Sequence, residues 1–139
     1  MTAIFNFARL VLSEGTMSST PIQIKDKFDT ESAQLIVNLG YPKNADHMVD
    51  MLFWCCFPND PVSHVIYPFI NSLSDSILSI HIPEFLEFYL SNKEEKMIED
   101  IFEIFINFRG KKFRELVLSN CKTKDLQELF TREKYSLES

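Results

Sequence analysis

Apolar residues recur at helical spacing along most of this chain, and the densest recurrence lies between Lys96 and Phe108 (KMIEDIFEIFINF). There Ile98, Ile101, Phe102, Phe105 and Phe108 fall three, one, three and three residues apart, which marks one face of an α-helix. Met97 and Ile104 widen that face and Ile106 points the other way. Glu99, Asp100, Glu103 and Asn107 are left as a narrow polar stripe. A helix this apolar is either central to a bundle or one wall of a groove that receives another apolar helix.

The same pattern divides the rest of the chain. Residues 3–13 read as a short helix with Ile4, Phe7, Ala8 and Val11 on one side, followed by the polar stretch SEGTMSSTP. This sets residues 1–21 apart as an N-terminal segment and leaves 22–139 as a single helical domain. Ile22 to Phe28 alternates briefly, but no second strand pattern exists to pair with it, so it reads as an extended lead-in. Asp29 or Thr30 caps a helix that ends at Gly40, with Leu35, Ile36 and Leu39 as its stripe. Asn44 or Asp46 caps a second, running to about Phe57, with Met48, Met51, Leu52 and Cys55 on a face that Phe53 and Trp54 widen.

The run Phe57-Pro-Asn-Asp-Pro61 breaks the chain, because a proline disfavours helix in the residue before it. A third helix is expected from Pro61 to about Ile80, kinked or interrupted at Pro68, with a joint at Ile82-Pro83. Pro83 then heads a short helix carrying Phe85, Leu86, Phe88, Tyr89 and Leu90. Ser91 or Asn92 caps the helix of the opening stretch, and Glu94 and Glu95 suit its positive end. Gly110 ends or bends it. Lys111 to Asn120 continues as an amphipathic turn or two with Phe113, Leu116 and Val117, and Leu126, Leu129 and Phe130 mark a last helix from Lys124 to Tyr135. The prediction is all-α: a compact bundle of about six or seven helices joined by short loops.

Composition narrows the chemistry. A chain of 139 residues with three glycines, and without a G-x-G-x-x-G or Walker sequence, offers no phosphate cradle, so no nucleotide or other cofactor is expected. His47, His64 and His81 share no metal-ligand spacing. Cys55, Cys56 and Cys121 form no disulfide framework and read as buried or half-buried thiols of a reducing compartment. The carboxylates Glu84, Glu87, Glu94, Glu95, Glu99, Asp100 and Glu103 read as a solvated face rather than an acid/base pair. No enzyme signature emerges. No run of eighteen apolar residues and no cleavable leader pattern is present, so a cytoplasmic protein without a membrane span is expected. Residues 1–106 carry six Lys and Arg against fifteen Asp and Glu, and residues 107–139 carry eight against five. The acidic body makes nucleic-acid binding unlikely, with the basic segment from Arg109 to Lys134 as the weaker alternative.

Thirteen phenylalanines change the picture more. Residues 85–90 and 97–117 hold more large apolar side chains than a small bundle easily hides, which suits a groove for a partner's amphipathic helix.

Several of these residues also carry a family pattern. The run FPNDPVSHVIYPFI (57–70), then Ile82-Pro-Glu-Phe85, then Asp100-Ile-Phe-Glu-Ile104 resembles the BART domain, the binder of Arf-like small GTPases. Phe57 and Tyr67 stand for the phenylalanine that closes one helix and the tyrosine near the start of the next. Asp100, Ile101, Phe102 and Phe113 match the apolar helix and its continuation. Pro61, Val62 and Ser63 stand where the family has an acidic Glu-Glu-Asn element. The resemblance, over roughly Phe28 to Leu118, implies a helical adaptor that grips an Arf-like GTPase in its GTP state, the nucleotide belonging to the partner. The cleft would lie among Ile66, Phe69, Ile70, Phe102, Phe105 and Phe113. The alternative occupant of the same apolar helices is a second copy of the chain, as a homodimer or a subunit of a larger helical assembly.

Overall fold

The computed structural model describes residues 22–135, and every regular element among them is helical. They are α1 (Thr30–Leu39), a 3-10 turn (Ala45–His47) running straight into α2 (Met48–Cys55), α3 (Pro61–Ser72) and α4 (Asp75–Ser91). Next come α5 (Glu95–Ile101), a π-helical segment (Phe102–Ile106), α6 (Asn107–Arg109), α7 (Lys111–Ser119), α8 (Lys124–Leu129) and a closing 3-10 turn (Glu133–Tyr135). The expected all-α class is what forms. The helix expected over residues 3–13 lies outside the described residues. Contacts divide the chain after Ser72 into two units.

In the first unit, Asp29 caps α1 as its position predicts, its Oδ1 accepting from Ser32 N at 3.1 Å. Gly40 ends the helix at φ 75°, a left-handed conformation that glycine takes without a Cβ penalty. The buried stripe of α1 is Ala33 and Ile36, while Leu35 and Leu39 stay exposed. Asn44 makes no helix cap. Its Nδ2 reaches back 2.9 Å to the carbonyl of Ile36, one of the last-turn oxygens of α1 that has no donor inside its own helix. In α2, Met48, Val49, Asp50, Met51, Leu52 and Cys55 are all buried, and Phe53 and Trp54 are half-buried. α3 packs on α1 and α2 and buries Val62, Ile66 and Ile70 at intervals of four. The amide of Val62 donates to Lys27 O at 3.1 Å and ties the lead-in down.

The long third helix expected to Ile80 is two helices. α3 stops at Ser72, and Ser74 caps α4, its Oγ accepting from Ile77 N at 3.3 Å. α4 then runs through Pro83, where a joint was expected. A proline inside a helix leaves the carbonyl four residues back without its donor. That carbonyl is Ser79 O, and Asn120 Nδ2 supplies the missing bond at 3.2 Å. A partner from α7's end thus lets α4 continue.

The second unit packs α4 against α5, α7 and α8. Ser91 ends α4 and Asn92 caps its C-terminus, Nδ2 bonding Phe88 O at 2.7 Å, so neither starts α5. α5, the π segment and α6 form one uninterrupted rod from Glu95 to Arg109. The π segment alters the expected face. A π turn takes one residue more than an α turn, which rotates everything after it back by about 100°. Ile106, expected outward, is therefore fully buried, and Phe108, expected inward, is 73% exposed. Gly110, at φ 104°, turns the chain into α7. The last predicted helix ends early, at Leu129, after Thr123 has capped it by accepting from Leu126 N at 3.2 Å.

Candidate functional site

The six residues expected to line a cleft are placed as follows. Ile66 and Ile70 lie on the buried stripe of α3, and Phe69 of the same helix is half-buried. Phe102, Phe105 and Phe113 are completely or almost completely buried in the second unit. Phe113 also carries the Arg109 guanidinium 5.3 Å from its ring centre.

Phe102 is covered by the chain's own C-terminal residues. Tyr135 stacks on it with ring centres 4.2 Å apart and planes 17° from parallel, and Phe130 meets it at 5.1 Å. Arg114 donates to the main-chain carbonyls of Phe130 (2.7 Å) and Tyr135 (2.5 Å) while lying over both the Phe102 and Phe130 rings. The Tyr135 hydroxyl donates to Glu95 Oε2, and this bond, helped by Lys134 and Arg132, holds the Glu95 carboxyl below its usual range. Lys134 bonds Glu99 at 2.7 Å, and Arg132 stands 3.5 Å from Glu95. Residues 130–135 thus form a hook closed over α5 and the start of the π segment.

A cluster of accessible aromatic rings lies on the first unit. Phe53, Trp54 and Phe57, at the end of α2, meet edge to face with ring centres 5.2, 5.1 and 6.3 Å apart. With Asp26, Lys27, Phe28 and Asp60 they line an open recess of about 470 Å³ whose surface is mainly apolar. Phe28 is 68% exposed, yet the backbone that presents it is fixed. Its amide donates to Asp26 Oδ1 (2.9 Å), its carbonyl accepts from Thr30 N (2.8 Å), and Lys27 O holds Val62 N. Lys27 Nζ sits 5.4 Å from the Phe28 ring centre. On the far side, the amide of Asp60 donates to Phe57 O at 2.9 Å and closes the turn that places Phe57. Trp54 Nε1 is buried and has no hydrogen-bond partner among the described residues, a position that costs an indole N–H its solvation. A smaller recess of about 190 Å³ on the second unit is lined by Ile80, Pro83, Glu84, Glu87, Asn120, Lys122 and Leu126, and is more polar.

Elsewhere, two of the three thiols are held protonated by burial, and the histidines have neighbours in the fold. Cys55, Cys56 and Cys121 are buried free thiols, as the sequence suggests. Burial raises the Cys55 pKa, with Cys56 adding to the effect, and raises that of Cys121 to about 11, so both stay protonated and poor nucleophiles at neutral pH. Burial pushes His47 below its ordinary range. His64 Nε2 lies 2.9 Å from Pro58 O, and His81 Nδ1 lies 3.2 Å from Glu84. Among the described residues no three His, Cys, Asp or Glu side chains converge as a metal site, and no helix is long and apolar enough to cross a membrane.

No protein-family model, curated protein or solved structure matches this chain.

Of the recess residues, the sequence places Phe53 and Trp54 as extensions of a buried face, Phe28 in the extended lead-in and Phe57 at a helix end. One signal points the other way. Apolar residues occupy every position of α2 except Asp50. A short helix apolar all round has either every side covered or one side presented.

Proposed function

We propose that this protein is a non-enzymatic interaction module that takes the apolar face of a partner's amphipathic helix into the Phe28–Phe53–Trp54–Phe57 recess. The observation that carries this reading is an exposed phenylalanine on a pinned backbone beside a half-buried aromatic triad. Aromatic side chains on rigid supports are the anchors on which binding energy concentrates, because little freedom remains to be lost on docking. Asp26 and Asp60 at the edge of the recess favour a partner with Lys or Arg beside its apolar anchors. An Arf-like GTPase in its GTP state, offering its N-terminal amphipathic helix, is the specific form of this proposal that the BART-like sequence pattern supports.

Trp54 is the chain's one tryptophan, so its fluorescence reports on the recess directly. Titration with an amphipathic peptide of about 18 residues, Leu and Phe on one face and Lys on the other, is expected to change Trp54 emission saturably. Phe28→Asp, at an exposed position, should leave the far-UV spectrum intact and weaken binding about ten-fold or more. An unchanged emission, or equal binding by the variant, would remove the recess as the site. Arf-like GTPases loaded with GTP or GDP, titrated in the same way, test the named partner: a response that does not favour the GTP form ends that assignment.

A further inference from the structure

The hook over Phe102 has features of a bound ligand. Its aromatic ring is stacked flat on a ring of the receiving helix, and two of its main-chain carbonyls are held by one guanidinium. Its hydroxyl and its two flanking cations all go to the acid pair Glu95 and Glu99, one helical turn apart on α5. These three kinds of contact read, in turn, an aryl group, a peptide backbone and a basic charge. Phe130 adds a second ring against Phe102 and under the same guanidinium.

We propose that the surface formed by Phe102, Arg114, Glu95 and Glu99 is a docking site for a short basic, aryl-bearing peptide, occupied here by the chain's own residues 130–135 and exchangeable for an equivalent segment of a partner. The occupant's chemistry is written in the hook: an aromatic residue preceded by Lys at one position and Arg at three (Arg132-Glu-Lys-Tyr135). This site belongs to the second unit and does not depend on the aromatic recess of the first.

Exchange has to open a buried ring stack, but the ion pairs around it are local and partly wet. The side chains of Arg132, Lys134, Glu95 and Glu99 are all roughly half-exposed, and ion pairs in that setting contribute little. α8 has six residues, too few to persist alone if its neighbours let go. The amides of Phe130, Thr131, Arg132 and Tyr135 bond only to carbonyls three residues back within the same segment, so they can open together without unravelling α4 or α5. Once the hook leaves, Arg114 is a partly buried cation without its two carbonyls, and Phe102 a ring without its stack. Both favour refilling by any chain that offers the same groups.

The test uses the full chain carrying Tyr135→Ala and a fluorescent peptide copying residues 122–139. Removing the internal ring should expose the seat, so the peptide is expected to bind the variant about ten-fold or more tighter than it binds the wild-type chain, whose own hook competes. The same peptide with its tyrosine replaced by alanine should lose that binding, and Glu95→Gln with Glu99→Gln on the variant should weaken it several-fold. Equal affinity for the wild-type and Tyr135→Ala chains, or undiminished binding of the tyrosine-free peptide, would overturn the proposal. Hydrogen exchange on the wild-type chain provides a second measurement that needs no variant. The amides of Thr131, Arg132 and Tyr135 should exchange about a hundred-fold faster than those of Ile101 and Phe105; exchange at one common rate would show a fixed terminus and end the idea.

Discussion

At the scale of single residues, Asp50 is the group whose environment and chemistry conflict most. It is 3% exposed, its Oδ1 has no hydrogen-bond partner among the described residues, and burial raises its pKa from 3.8 to about 7. Between those values the unfolded chain is ionised while the folded one keeps its proton, so this carboxyl makes stability fall as pH rises from about 4 to about 7. The interval is worth on the order of 4 kcal/mol at neutral pH. His47, depressed by burial, acts in the opposite sense: the unfolded chain takes up its proton first, and stability is lost as pH falls through about 6.5. Asp50→Asn is therefore expected to stabilise the protein above pH 7 and to leave a profile that rises with pH under the influence of His47. Urea unfolding at three pH values across this range measures it; parallel wild-type and variant profiles would show that Asp50 is ionised at no cost. An acid on an otherwise apolar helix was legible in the sequence, but its burial was not, because burial depends on what packs around α2.

At the scale of elements, the sequence was most informative where a single residue determines the local backbone. Asp29 before α1, Gly40 after it, Pro61 at the head of α3 and Gly110 before α7 all act as their chemistry predicts. It misled at the prolines of the middle stretch. Pro83 reads as a joint, and Ser74-Asp75 falls inside the helix expected from Pro61 to about Ile80, although a serine followed by an acid is a good cap. What rescues Pro83 is Asn120, 37 positions away, and no local pattern carries that. Asn120→Ala should accordingly cost about 1–2 kcal/mol by leaving Ser79 O unpaired; a loss indistinguishable from zero in thermal unfolding would mean that solvent serves that carbonyl as well. The π segment produces the other discrepancy. A helical wheel makes Phe105 and Phe108 equivalent, yet Phe105→Ala should destabilise by about 3–5 kcal/mol and Phe108→Ala by no more than about 0.5 kcal/mol. Equal losses in the two variants would contradict the register described for this rod.

At the scale of the whole molecule, the charge asymmetry read along the chain takes on a different meaning. The basic segment after Asn107 does not face outward as a block. Arg109 pairs with Asp75, and Arg132 and Lys134 pair with Glu95 and Glu99, so cations of the late sequence neutralise acids of the early part of the same unit. Lys111, Lys112, Lys122 and Lys124 remain exposed, but the chain as a whole is at −6. It is expected to pass through immobilised DNA or RNA unretained at low salt, since binding requires a surplus of cations to displace the counterions; retention that salt abolishes would revive the nucleic-acid reading. The interaction surfaces were only partly legible in the same way. The sequence indicated an excess of aromatic residues and an acidic setting for it. Which rings are exposed depended on a recess built from the lead-in and the end of α2, and on a hook that covers Phe102.

The π segment also bears on descent. A π turn inside an α-helix carries one residue more than the α turns on either side of it, here within a rod that runs from Glu95 to the turn at Gly110. A homologous chain lacking one residue between positions 102 and 106 would close that turn into ordinary α-helix and bring its counterpart of Phe108 back inside. Alignments that allow a single gap at this point, and not elsewhere along the rod, are the place to look for its lineage.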